Sequence, residues 1–209
     1  MSQSYREIGT NALIRMGLPV TVLGLNLFPI KMSHYEDYIS CKDSLLIRMS
    51  TLPLKYMTMD YFSAIYALEM DFAKDKPIGV FSQLIRLLQL SLRVDWSDED
   101  ISRLFVCEKE NNEIIIKKIR VTQDNKIHFF TPQQFSSELR PMIAKINGLE
   151  LPDESENVDL VRANEEKAKL NQKGKPLKRS ADDLIASVAF QSKCRESDIM
   201  DWTVKEFFC

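Results

Sequence analysis

Cysteine and histidine most often carry metal or nucleophile chemistry, and this chain holds four of one and two of the other: Cys41, Cys107, Cys194, Cys209, His34 and His128. Structural metal sites draw such ligands in pairs roughly two to four residues apart, and a redox dithiol needs a Cys-x-x-Cys pair. None of these six residues has a neighbour at that spacing. The spacing predicts reduced thiols, with no zinc and no other cofactor. Cys41 shares a helix face with Tyr38 and Leu45, the place of a core thiol. His34 falls in the first turn of an expected helix and His128 in an expected strand, both structural positions.

Carboxylates are abundant, but where they cluster they open helices. Asp182 and Asp183 follow Ser180, where the helix dipole favours negative charge. Asp95, Asp98, Glu99 and Asp100 mark a turn and another helix start. The chain lacks a GxSxG elbow, a Walker-type glycine loop and an HExxH pair. With 6 glycines in 209 residues, a phosphate-cradling loop has little to be built from. The expectation is a protein that is not an enzyme.

What remains is apolar. Leu184, Ile185 and Val188 stripe one C-terminal helix. Met200, Val204, Phe207 and Phe208 cluster along the next, flanked by Trp202. These eight residues either complete the protein's own core or dock a partner in helix-in-groove fashion, and they are the candidate partner-binding set. A helical pair with a short turn is also the geometry of many DNA readers. Here the second helix carries Asp198, Asp201 and Glu206 against Lys205 alone, the wrong sign for approaching phosphates. The basic tract Lys167, Lys169, Lys173, Lys175, Lys178 and Arg179 has no aromatic residue for base stacking and reads as a solvated linker. Nucleic acid is not an expected partner.

Composition agrees. A net charge of -2 gives no global attraction to nucleic acid or anionic lipid, and no apolar run is long enough to span a bilayer, so no membrane is expected. Residues 1–10 are polar and mixed in charge, unlike a signal peptide.

The elements that must carry these residues follow from periodicity. Pro19 to Lys31 reads as a β-strand with an irregularity at Gly24. Ser33 and Glu36 have capping-box spacing ahead of a helix ending near Thr51. Further helices are predicted from Lys55 to Phe72 and from Ile78 to Val94, the latter apolar around most of its girth and hence central. Arg103–Cys107, Glu113–Val121 and Lys126–Phe130 predict a three-stranded meander with turns at Asn111-Asn112 and Asp124-Asn125, which the early strand is placed to join. Alternation sets Ile115, Ile119 and Val121 on one face, with Ile116, Lys118 and Arg120 on the other. Thr131, Pro132 and Gln134 open another helix, Pro141 predicts a kink in it and Gly148 closes it. The fold class is therefore α+β: a mainly helical body with a small antiparallel sheet over residues 1–150, a polar, partly helical linker over 151–179, and a C-terminal helical hairpin over 180–209.

The phrases NGLELPDESENVDLVRA and DDLIASVAFQSKCRESDIMDWTVKEFF, with IGTNALIRMGLPVTVLGLNLFPIKMSHYEDY near the start, resemble proteins encoded among the tail genes of long-tailed bacteriophages and prophages of Gram-positive bacteria. The resemblance is to tail assembly chaperones. It implies a non-enzymatic, homo-oligomeric protein of the bacterial host cytoplasm that binds the tape measure protein, keeps it soluble, and helps recruit the tail tube protein. Two alternatives stand beside it: a structural tail or neck component, and a small DNA- or protein-binding regulator using the terminal hairpin.

Overall fold

In a computed structural model the chain is described at residues 2–72, 79–110, 113–155, 159, 163, 167 and 180–208. The architecture is α+β. Helix α1 (Ser2–Arg15) leads into a hairpin of β1 (Val20–Val22) and β2 (Leu25–Leu27). Then come α2 (Tyr35–Cys41), α3 (Leu54–Met57), α4 (Tyr61–Phe72), α5 (Val80–Leu92) and α6 (Asp98–Ser102). A meander of β3 (Phe105–Glu110), β4 (Glu113–Gln123) and β5 (Lys126–Phe130) follows. Helix α7 (Pro132–Gln134), a π-turn (Phe135–Leu139) and α8 (Arg140–Ile146) run continuously. Helices α9 (Ala181–Ser192), α10 (Glu196–Met200) and α11 (Val204–Phe208) close the chain.

Helix α5 is the core element, as its apolar girth predicts. Leu84, Leu87, Leu88 and Leu92 are buried along it. Across from it Phe62 of α4 makes edge-on contacts with Phe81 at 5.7 Å and Phe135 at 5.1 Å. Phe105 of β3 joins that cluster at 5.8 Å from Phe62, so the sheet packs its inner face on the α4–α5 pair.

Five local expectations change. The segment Pro19 to Lys31 is not one strand. Leu23 and Gly24 both take positive φ, 52° and 80°, the signature of a tight I′ turn, and fold it into a hairpin. That hairpin forms its own two-stranded sheet and does not join the meander. The capping box at Ser33 and Glu36 is not made: Met32–His34 form a 3-10 turn and α2 starts at Tyr35 with no side-chain cap. The helix expected to reach Thr51 stops at Cys41 and continues as separate 3-10 turns at Lys42–Leu45 and Met49–Thr51. The helix expected from Lys55 is interrupted between Met57 and Tyr61.

In the sheet, the register shifts between Val106 and Cys107, leaving Lys117 as an extra residue on β4. One extra residue reverses the inward and outward sense of the strand. Ile116 therefore faces the core together with Ile119 and Val121, against the face assignment made from simple alternation. The Asp124-Asn125 turn forms, both residues at positive φ. Asn111 and Asn112 lie outside the described residues.

At Pro141 the helix changes form. Proline has no N–H and its ring crowds the carbonyl four residues back. The widened π-turn Phe135–Leu139 immediately precedes it, and the helix resumes through Ile146. Thr131 caps the start by a full capping box, and Gly148, at φ 68°, follows the end. Of the predicted linker, residues 156–158, 160–162, 164–166 and 168–179 lie outside the described residues, as does Cys209.

Candidate docking surfaces

The C-terminal helices are stitched to the body by main chain. Met32 N–H donates to the Trp202 carbonyl at 2.8 Å, and Val204 N–H donates to the Ile30 carbonyl at 2.7 Å. Between them Lys31 and Thr203 form an isolated antiparallel bridge. The Lys31 ammonium meets the Asp201 carboxylate at 2.7 Å, and this hydrogen bond holds the Asp201 pKa below its usual value. The stitch breaks the single terminal helix that periodicity suggests. After the C-cap Asp201 the chain leaves helical geometry at Trp202 and Thr203, and α11 restarts with its own capping box, in which Glu206 N–H donates to Thr203 Oγ1 and Thr203 N–H donates to the Glu206 carboxylate.

This construction divides the eight candidate partner-binding residues. Ile185 and Val204 belong to the main hydrophobic core, with Ala189 and Ile199. Leu184, Val188, Trp202 and Phe207 are half-buried. Met200 is 39% exposed and Phe208 57% exposed. Phe208 lies 5.7 Å from the Tyr35 ring and packs edge-on against Phe207 at 5.0 Å. Tyr35 and Phe208 form the lip of an open groove of about 340 Å³, floored by Tyr38, Ile39, Leu149 and Val204 and edged by Lys42 and Lys205.

Other apolar surface escaped the sequence reading. Phe190 is 87% exposed on α9. Its signal was legible: it is out of phase with the inward stripe Ile185, Val188 and Ala189 of the same helix. Met59 and Met70 are exposed beside a second groove of about 420 Å³, completed by Tyr66, Ala67 and Ile115. On the outer face of the sheet Phe129 and Ile127 are about half exposed, and Phe129 pairs across the strands with Arg120. Periodicity does not separate the sheet residues from core positions, because half of every strand faces outward and only packing decides which half.

Burial governs the ionisable groups of the core. Burial, reinforced by the Asp37 charge, pushes the Cys41 thiol up to about 12. Burial raises Tyr38 still further, and raises Tyr61 to about 12 against the pull of Arg140. Arg140 is itself buried, stacked 3.7 Å from the Tyr61 ring, and donates to the carbonyls of Leu45 and Ile47 at 3.0 and 3.2 Å. Cys107 and Cys194 are exposed thiols. Among the described residues no group of three or more His, Cys, Asp or Glu side chains is placed to hold a metal ion. Among them, too, no helix is long and apolar enough to cross a membrane.

No protein-family model, no curated protein and no solved structure matches this chain.

Proposed function

We propose that this chain is a tail assembly chaperone of a long-tailed phage, a non-enzymatic protein that binds its client stoichiometrically in the host cytoplasm. The client is the tape measure protein, with the tail tube protein recruited to the complex. The observation that carries this reading is Phe208: a large apolar ring more than half exposed on the lip of a mainly apolar groove edged by two lysines, on a helix that the main chain fastens in place. Exposed rings at a fixed groove suit an amphipathic client helix, whose anchors enter at helical spacing. The methionine-edged second groove adds adaptable surface of the kind used to hold varied apolar sequences.

The test is co-expression with the tape measure protein of the same tail gene cluster. Wild-type chain should keep the tape measure soluble and co-purify with it, and Phe208→Asp should lose both effects while retaining the native melting temperature. Mass spectrometry of purified virions completes the test. A chaperone is missing from them; finding the chain there in fixed proportion would replace this reading with that of a structural tail component.

A further inference from the structure

Helix α9 carries a second surface, with a pattern of its own. Its inward side is settled: Ile185 and Ala189 are buried in the core and Leu184 and Val188 are half-buried against it. Its outward side presents Asp183, Ala186 and Phe190, with Lys193 at the C-terminal cap, all four exposed. The steps of three, four and three residues place them along one seam of the helix. Asp183, Ala186, Ser187 and Phe190 also line a shallow depression in that surface.

The order along the seam is acidic, small, aromatic, basic. Asp183 and Lys193 stand equally far on either side of Val188, and so do Ala186 and Phe190. We infer that this face pairs two copies of the chain through their α9 helices, antiparallel about a two-fold axis at the level of Val188. In that arrangement each Phe190 ring enters the depression over the other copy's Ala186. Each Asp183 carboxylate meets the other copy's Lys193 ammonium. A parallel arrangement would set like charge against like charge and ring against ring. Isologous pairing requires a self-complementary patch, and this seam is one.

The charges are available for it. The Asp183 carboxylate accepts the Ser180 N–H at 3.3 Å as part of the helix cap, which fixes it at the start of the seam. Lys193 ends the helix in the left-handed region, φ 57°, and among the described residues it makes no ion pair. One helix face is a smaller patch than the roughly 800 Å² per partner of a standard interface, so the pair should be weak and concentration-dependent. The inference stands apart from the client assigned above, since it concerns only copies of this chain.

Sedimentation velocity on the full chain, from low micromolar to millimolar concentration, tests it. The wild type should move from monomer to dimer across that range. Phe190→Asp should remain monomeric throughout with an unchanged melting temperature, because the ring is 87% exposed. Lys193→Asp alone should weaken pairing at least tenfold. The double variant with Asp183→Lys, which exchanges the two charges, should recover most of it, with helix content checked by circular dichroism. A wild type that stays monomeric overturns the inference. So does a dimer indifferent to Phe190→Asp, which would place self-association elsewhere. A charge exchange that recovers nothing while helix content is kept would overturn the antiparallel pairing.

Discussion

Thr203 lies across from Lys31 in an antiparallel bridge, joining residues near the two ends of the chain. The same threonine caps α11 and is itself almost fully buried. The bridge and the cap depend on one another: the extended conformation that pairs with Lys31 is also the conformation an N-cap residue needs. Thr203→Ala should therefore cost about 1–2 kcal/mol in global stability, the upper part of the range for a lost cap. The denaturant midpoint measures it. Limited proteolysis should show new cleavage between Asp201 and Lys205 in the variant. An unchanged midpoint would mean that the main-chain bridge alone holds the C-terminal helices.

The place of a second fastening is held by Gln123. Its Oε1 accepts the Asn26 N–H at 2.7 Å, and its Nε2 donates to the Asn26 and Leu92 carbonyls, both at 2.8 Å. One buried amide thus mimics a strand partner for β2 and joins the hairpin, α5 and the meander. Gln123→Ala strands the part-buried N–H and carbonyl of Asn26 and the buried carbonyl of Leu92, so it should cost about 2–3 kcal/mol. Gln123→Glu should be no better, since a carboxylate would face two carbonyl oxygens. Urea midpoints of both variants decide this, and a loss under about 1 kcal/mol would show that water takes over the amide's role.

Much of this fold can be read from residue types, and each misreading has a physical cause. Helix α5, the meander, the Thr131 and Ser180 capping boxes and the Gly148 terminator all follow from local signals that tertiary packing leaves alone. The Ser33 box fails because Met32 is spoken for by Trp202, far away in sequence. The break at residues 201–203 was written locally, in Thr203 and Glu206, yet the apolar spacing from Ile199 to Val204 runs through it undisturbed. The inward turn of Ile116 depends on a bulge that alternation cannot show. For the candidate surface, spacing marks which residues are apolar; burial alone separates Val204 and Ile185, which are core, from Phe208 and Phe190, which are not.

Turn geometry favours glycine at position 24. It sits at φ 80°, and a Cβ there would stand 3.1 Å from Nδ1 of His128. Gly24→Ala combines left-handed backbone strain with a contact that must be relieved by moving the His128 ring. The expected loss is about 1–2 kcal/mol. Thermal unfolding monitored by circular dichroism checks it, and His128→Ala in the same background should recover the steric part only.

The raised pKa values set the alkaline limit of the fold. Cys41, Tyr38 and Tyr61 all titrate higher when folded than their ordinary values of 9.0, 10.0 and 10.0, chiefly because burial penalises the charged form. For groups raised in this way the stabilising contribution is complete below the unfolded pKa and is lost as pH rises toward the folded one. Stability should be flat through neutral pH and fall progressively from about pH 9 toward pH 12. Thiol labelling followed by peptide mapping supplies an independent check. Cys107 and Cys194 should react in the folded protein and Cys41 only after unfolding, and rapid native labelling of Cys41 would contradict its burial.

Arg140 is another buried polar residue whose removal should be costly. Its guanidinium spans the carbonyls of Leu45 and Ile47 while lying flat on Tyr61, whose hydroxyl donates to the Ser44 carbonyl at 2.5 Å. The irregular segment after α2 has few main-chain bonds of its own, so these side chains supply its partners. Arg140→Ala leaves buried carbonyls without donors and removes the stacking, an expected loss of about 3 kcal/mol. Lysine carries the same charge but cannot bridge two carbonyls and stack in one plane, so Arg140→Lys should recover less than half of that loss. If Arg140→Lys were as stable as the wild type in urea, charge rather than planar geometry would be what holds residues 44–47 against the π-turn helix.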